Sequence, residues 1–249
     1  MKINLIAALT AAIVFQAPAK DTEVRVFVSN GVKAVMEELQ PQCDRAIGHP
    51  LVMQFGSTAS LIRRIEAGET FDAAFLTTEA IDGLIREGKL AAATRADVGR
   101  AGIGVAVRKG APMPDIDTPE AMKRTLLKMK SITYAKEGAS RVDIDKMMDR
   151  LGIATDVKSK TLLPDASGRP QQSVEEGQSE LVITLIPEIL PYHGIQLVGP
   201  LPSEFQKYVT FAAGAATKTN NAEAAKALIK FVTGPAAAPT FKAKGMEAH

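Results

Sequence analysis

A strand followed by a helix, three times in succession, constrains this chain more than any other pattern in it. Residues 24–28 alternate as Val-Arg-Val-Phe-Val, the signature of a strand. Ser29-Asn30-Gly31 break it, and Val32, Val35, Met36 and Leu39 then recur at helical spacing, with Pro41 expected to stop the helix. Residues 51–55 form a second strand, broken by Gly56-Ser57-Thr58-Ala59-Ser60. The stripe Leu61, Ile62 and Ile65 follows and closes at Gly68. Residues 73–76 are a short buried strand after Asp72; Thr77-Thr78 break it, and Ile81, Leu84 and Ile85 lead to Gly88. Such alternation builds a parallel sheet covered by helices. Its strand-to-helix joints gather outside the carboxyl ends of the strands, where open α/β sheets take their ligands.

The rest of the chain continues in the same style. Residues 102–108 read as a longer strand, and Thr118 followed by Pro119 is a strong helix start, cap then N1. Residues 131–135 form a strand that runs into Glu137-Gly138-Ala139-Ser140, after which Ile144, Met147, Met148 and Leu151 make a helical stripe. Residues 181–186 are a buried strand, 195–198 a further strand, 208–217 an extended segment, and 222–232 and 235–244 closing helices.

The N-terminus has a separate meaning. Lys2, an apolar run over residues 5–15 and Ala17-Pro18-Ala19 form a tripartite secretory signal, expected to be cut between Ala19 and Lys20. The run is shorter than the ~20 residues that span a bilayer. The mature chain is then expected to work in the periplasm. Its only cysteine, Cys43, allows no internal disulfide, so stability must come from the core; a half-buried packing role is expected for it. The net charge of +2 comes without a basic block and aromatics are few, which argues against nucleic-acid binding. His49, His193 and His249 lack metal-ligand spacing, and neither a nucleophile elbow nor a phosphate-binding P-loop is present. No cofactor, no metal and no catalytic residue is indicated.

Four joints carry the chemistry: Ser29-Asn30-Gly31, Ser57-Thr58-Ala59-Ser60, Thr77-Thr78 and Gly138-Ala139-Ser140. Each is small, hydroxyl-bearing and placed between a strand and a helix. A helix N-terminus offers unpaired N–H groups and partial positive charge, worth about 0.3–1 kcal/mol to a nearby anion. Beside Ser or Thr hydroxyls it becomes an anion cradle that needs no cationic side chain. Ser and Thr also cap helices that bind nothing. The convergence of four such joints on one edge favours a small anionic ligand.

The chain resembles the periplasmic molybdate-binding protein family, a branch of the type II extracellular solute-binding proteins of ABC transporters. The resemblance is carried by Val26-Phe27-Val28-Ser29, by Phe55-Gly56-Ser57-Thr58-Ala59-Ser60-Leu61 and by Gly68-Glu69-Thr70-Phe71-Asp72-Ala73-Ala74-Phe75-Leu76. It continues in Glu176-Gly177-Gln178-Ser179-Glu180-Leu181-Val182-Ile183 and in Ala222-Glu223-Ala224-Ala225-Lys226-Ala227-Leu228-Ile229-Lys230-Phe231. It implies an α/β, two-lobed periplasmic-binding-protein fold of type II, each lobe a mostly parallel sheet flanked by helices, with the cleft between lobes. After the signal peptide (residues 1–19), lobe 1 would comprise residues 20–104 plus 209–249 and lobe 2 residues 105–208. Strands near residues 104–108 and 208–212 would act as the hinge. The implied ligand positions are Ser29 and either Ser57 or its neighbour Thr58, with backbone contacts from near Thr77, Ala139-Ser140 and Thr184-Leu185; Asn30 at the first joint joins the candidate set. The implied partners are a small anion and an inner-membrane ABC permease, with the protein itself a monomer.

Two positions depart from the molybdate pattern. The molybdate binders place a tyrosine about where Leu185 stands, and Leu185 has no hydroxyl for a tetrahedral oxyanion. Arg141 lies one residue past a joint, where that site avoids full charge; a guanidinium suits a carboxylate fork, or else simply decorates a solvated first turn. An oxyanion and a small organic carboxylate both remain open as ligands. A subset of the family resembles aconitate isomerase, an exported enzyme acting on a polycarboxylate. That chemistry needs a carboxylate clamp and a weak base, and the sequence identifies no base.

Overall fold

The computed structural model describes residues 23–165 and 168–249; the expected signal peptide on residues 1–19 lies outside them. The opening alternation is present: β1 (Val24–Ser29), α1 (Asn30–Ile47), β2 (Leu51–Gly56), α2 (Thr58–Glu66), β3 (Ala73–Thr77) and α3 (Thr78–Arg86). The chain continues through β4 (Ala96–Arg108), α4 (Pro119–Lys128), β5 (Ile132–Thr133), α5 (Arg141–Arg150), α6 (Ala154–Lys158) and β6 (Thr161–Leu162). It then forms α7 (Arg169–Glu175), β7 (Leu181–Leu185), α8 (Ile186–Ile189), β8 (Ile195–Pro200), β9 (Tyr208–Ala215), α9 (Ala222–Val232), α10 (Ala238–Ala243) and β10 (Met246–Ala248).

The strands form one mixed sheet in the order β2-β1-β3-β9-β4-β7-β5-β6, with β8 and β10 also paired to β4. β2, β1 and β3 are mutually parallel, and so are β7, β5 and β6. Antiparallel β9 and β4 join these two blocks. Register aligns the joints: Ser29 lies opposite Gly56, and Val28 opposite Phe75, so β1, β2 and β3 end level. β4 serves both halves, its residues 96–102 pairing with β9 and residues 103–107 with β7. The chain returns from β8 to β9 through residues 201–207, where Leu201 N–H donates to the Ile103 carbonyl at 3.2 Å.

Alternation along β1 buries Val24, Val26 and Val28 on one face, against the α1 stripe of Val32, Val35, Met36, Leu39 and Cys43. Each such side chain contributes about 1.5–3 kcal/mol on full burial. Phe27 faces the opposite layer with Leu61, Ile81 and Leu84 of α2 and α3.

Pro41 does not stop α1, contrary to the pattern. The helix runs on to Ile47 and ends at Gly48, whose φ of 71° gives the left-handed cap. Pro41 is exposed, and so is Glu37, whose carbonyl loses its helical partner to the proline ring at a solvent-facing position. Burial of Leu39 and Cys43 on either side holds the helix through the break. β4 also begins earlier than residue 102, because its polar first half pairs with β9.

Candidate functional site

Ser29 ends β1 and caps α1, and it is buried. Thr58, the first residue of α2, donates its hydroxyl to Ser29 Oγ at 3.2 Å, tying the starts of the two helices together. Ser57 caps α2 by accepting from Ser60 N–H at 3.1 Å, while Ser60 Oγ donates to the Ser57 carbonyl at 2.8 Å. The level ends of β1 and β2 therefore set two helix N-termini side by side, and both open into a cleft of about 730 Å³.

The facing wall comes from the second half of the sheet: Lys136, Glu137, Gly138 and Ala139 after β5, Gln171 of α7, and Pro187 and Glu188 of α8. Gly31 permits the close approach of the two walls. A Cβ there would stand 2.4 Å from Phe211 Cζ and 2.9 Å from Leu185 Cδ1. Leu185 is thus buried beneath the first turn of α1 and is not itself part of the cleft lining.

Of the residues singled out in the sequence, Ser29, Asn30, Ser57 and Thr58 line this cleft. The other four lie outside its lining. Thr77 caps α3 at the end of β3, and its neighbour Thr78 faces a second cavity of about 500 Å³ near Asp97, Arg100 and His249. Ser140 is buried at the start of α5, although Gly138 and Ala139 just before it reach the cleft. Arg141 is engaged at home: its Nε donates to Asp145 Oδ2 at 2.6 Å, and its guanidinium sits 5.2 Å from the centre of the Tyr134 ring. Thr184 is buried and donates its hydroxyl to Glu188.

The charges around the cleft are paired. Lys33 meets Glu37 at 2.7 Å, Lys136 meets Asp165 at 3.3 Å, and Arg63 forks onto Glu137 at 2.7 and 3.2 Å, spanning from α2 to the facing wall. The Arg63 guanidinium holds the Glu137 carboxyl below its ordinary range. Glu188 is the acid left over, with no cation against it among the described residues. Burial pushes its carboxyl up, partly opposed by bonds from Thr184 and Gln171. Two buried side-chain oxygens on the lining, Asn30 Oδ1 and Gln171 Oε1, have no partner among the described residues.

Glu188 and Gln171 escape the sequence reading. The available signal was Thr184 and Glu188 at helical spacing across Pro187, a fifth strand-to-helix joint concealed because residues 181–186 read as one apolar strand.

A cleft at the carboxyl ends of parallel strands, walled by two blocks that share central antiparallel strands, defines a binding protein of the periplasmic type. The chain belongs to the bacterial extracellular solute-binding protein family, whose model matches residues 24–247. Its relatives include the aconitate isomerase of a Pseudomonas species, 29% identical over 233 residues, covering 91% of this chain and 88% of that protein. The molybdate-binding protein ModA of Azotobacter vinelandii is 27% identical over 250 residues, covering 97% and 96%. The solved structure of the Azotobacter vinelandii periplasmic molybdate-binding protein superposes with a TM-score of 0.78 at 16% identity, covering 90% of this chain and 98% of that one, a likeness of fold.

Proposed function

We propose that this protein is exported to the periplasm, captures a small organic acid in the cleft and delivers it to an ABC permease. The observation that carries this reading is the pair of adjoining helix N-termini at the head of the cleft, bound to each other through Thr58 and Ser29. Their free N–H groups and hydroxyls suit a carboxylate without any cation, as the pairing of Lys33, Arg63 and Lys136 requires. A volume of about 730 Å³ suits an organic molecule, within the ~300–1,000 Å³ of small-molecule sites, better than a bare tetrahedral oxyanion. Leu185 points the same way only in that, buried and outside the lining, it offers a ligand no hydroxyl. Closure would turn on the strands near residues 104–108 and 208–212, which connect residues 20–104 plus 209–249 with residues 105–208. A thermal-shift titration tests the ligand class: tricarballylate, citrate and trans-aconitate raise the melting temperature with concentration, and molybdate and sulfate do not. Stabilisation by molybdate alone overturns the organic-acid reading.

One observation favours a second reading, an isomerase of a small polycarboxylate on the same fold. Glu188 is a carboxyl in the cleft that burial gives a higher proton affinity than a free carboxylate, which makes it a stronger base once ionised. The relative named aconitate isomerase supports it. Incubating trans-aconitate with the protein in deuterium oxide, followed by proton NMR, decides the matter: exchange or isomerisation establishes the enzyme, and an unchanged spectrum after a day excludes it.

A further inference from the structure

We propose that Gln171 and Glu188 form a second pole of the cleft that receives a hydroxyl group of the ligand, so that the captured molecule is a hydroxy acid. The inference rests on the organic-acid reading and adds what the far end of that acid must carry. Gln171 is 3% exposed, on a helix that packs its side chain toward α8. Its Nε2 donates to the Glu188 carbonyl at 3.2 Å, which fixes the other end of the amide as oxygen. That oxygen, Oε1, has no donor among the described residues. A buried acceptor without a donor is costly in a finished core, and on the wall of a ligand cleft it is a demand for one.

Glu188 makes the same demand beside it. Thr184 Oγ1 donates to Glu188 Oε2, Gln171 also bonds this carboxyl, and the residue lines the cleft. The Tyr192 phenol lies close enough to feel the Glu188 charge, and Glu37, which also lines the cleft, pairs with Lys33 at 2.7 Å. With no cation against it among the described residues, and with burial favouring its protonated form, Glu188 can both accept from and donate to an uncharged hydroxyl. The α1 and α2 end thus offers N–H and hydroxyl donors together with the Asn30 oxygen, and the α7 and α8 end offers acceptors.

The test is calorimetric titration of the full chain with matched pairs, malate against succinate and citrate against tricarballylate, plus aspartate. The hydroxy acid of a pair is expected to bind about tenfold or more tightly than its deoxy partner, the discrimination typical of a buried acceptor left unpaired. Gln171→Met should bring that ratio close to one by weakening the hydroxy acid while leaving the deoxy acid in place. If that variant fails to fold, judged by its circular dichroism melt, Glu188→Ala is read by the same ratio. Equal binding of both members of a pair by the unaltered protein overturns the inference and leaves the organic-acid reading intact. A preference for aspartate over malate also overturns it, by making the pole an ammonium site. If no carboxylate binds, the inference falls together with the reading beneath it.

Discussion

Gly31→Ala probes the contact on which the whole cleft geometry depends. The new Cβ would stand 2.4 Å from Phe211 Cζ, 3.1 Å from Phe211 Cε1 and 2.9 Å from Leu185 Cδ1. Carbon atoms in contact prefer about 3.5–4.0 Å, so the ring must retreat by about 1 Å or α1 must lift. Both Phe211 and Leu185 are 1% exposed; Leu185 is enclosed, and Phe211 borders the second cavity, which limits how far its ring can retreat. Overpacking of this kind costs about 1–3 kcal/mol. Alanine recovers at most about 1 kcal/mol of helix propensity, and less in a first turn. The net loss is about 1–2 kcal/mol, or a fall of about 2–8 °C in melting temperature for a chain of this size. Urea denaturation gives the free energy directly. Adding Phe211→Leu to Gly31→Ala should restore part of it, with a favourable coupling of about 0.5 kcal/mol or more in a double-mutant cycle. A Gly31→Ala protein that is as stable as its parent, with no coupling to Phe211, refutes the account of how the two walls meet.

Ser29→Ala removes the hydroxyl at the head of the cleft and should weaken ligand binding by about 1–3 kcal/mol, read by calorimetry. Ser57→Ala should lower stability as well, by about 1 kcal/mol in urea, because Ser57 Oγ caps α2 through Ser60 N–H. Glu188 holds its proton in the folded chain to higher pH than in the unfolded one, which releases it near ~4.3. The native state therefore binds more protons above that point, and stability falls as pH rises through the window up to its elevated value. Glu188→Gln removes this slope, so the variant should melt above its parent at pH 8 and level with it at pH 4; the reverse order would refute the assignment. Burial, with Asp44 adding to it, pushes the Cys43 thiol up to about 12. It should resist alkylation at pH 8 until denaturant unfolds the chain, and rapid labelling of the native protein would contradict its burial.

The opening three strand–helix units were legible because each combines a clean period with a glycine or hydroxyl break, and they placed Ser29, Asn30, Ser57 and Thr58 on one edge. What escaped is short or set by distant contacts. β5 and β6 have two residues each and α8 has four, too few for any period to show. Proline suggested an end to α1, but a solvent-facing position and a buried flank outweighed it. Arg141 looked free to reach a ligand, and only the fold brings Tyr134 to it, from β5's end, while Asp145 lies one helical turn along. Gln171 and Glu188 share the far wall because α7 folds back beside β7 and its Gln171 donates to the Glu188 carbonyl, a relation between segments that local pattern does not encode.

β4 has a consequence beyond shape. One uninterrupted strand contributes hydrogen bonds to β9 and β10 with its first residues and to β7 and β8 with its last. Loss of either block would strip this strand of half its partners and leave bare amide groups along the edge of the other. Denaturation should therefore be a single cooperative event, with one calorimetric peak rather than a shoulder for each half. Gly102 and Gly104, at the point where the strand passes from one set of neighbours to the next, leave it pliable there without cutting the two halves apart.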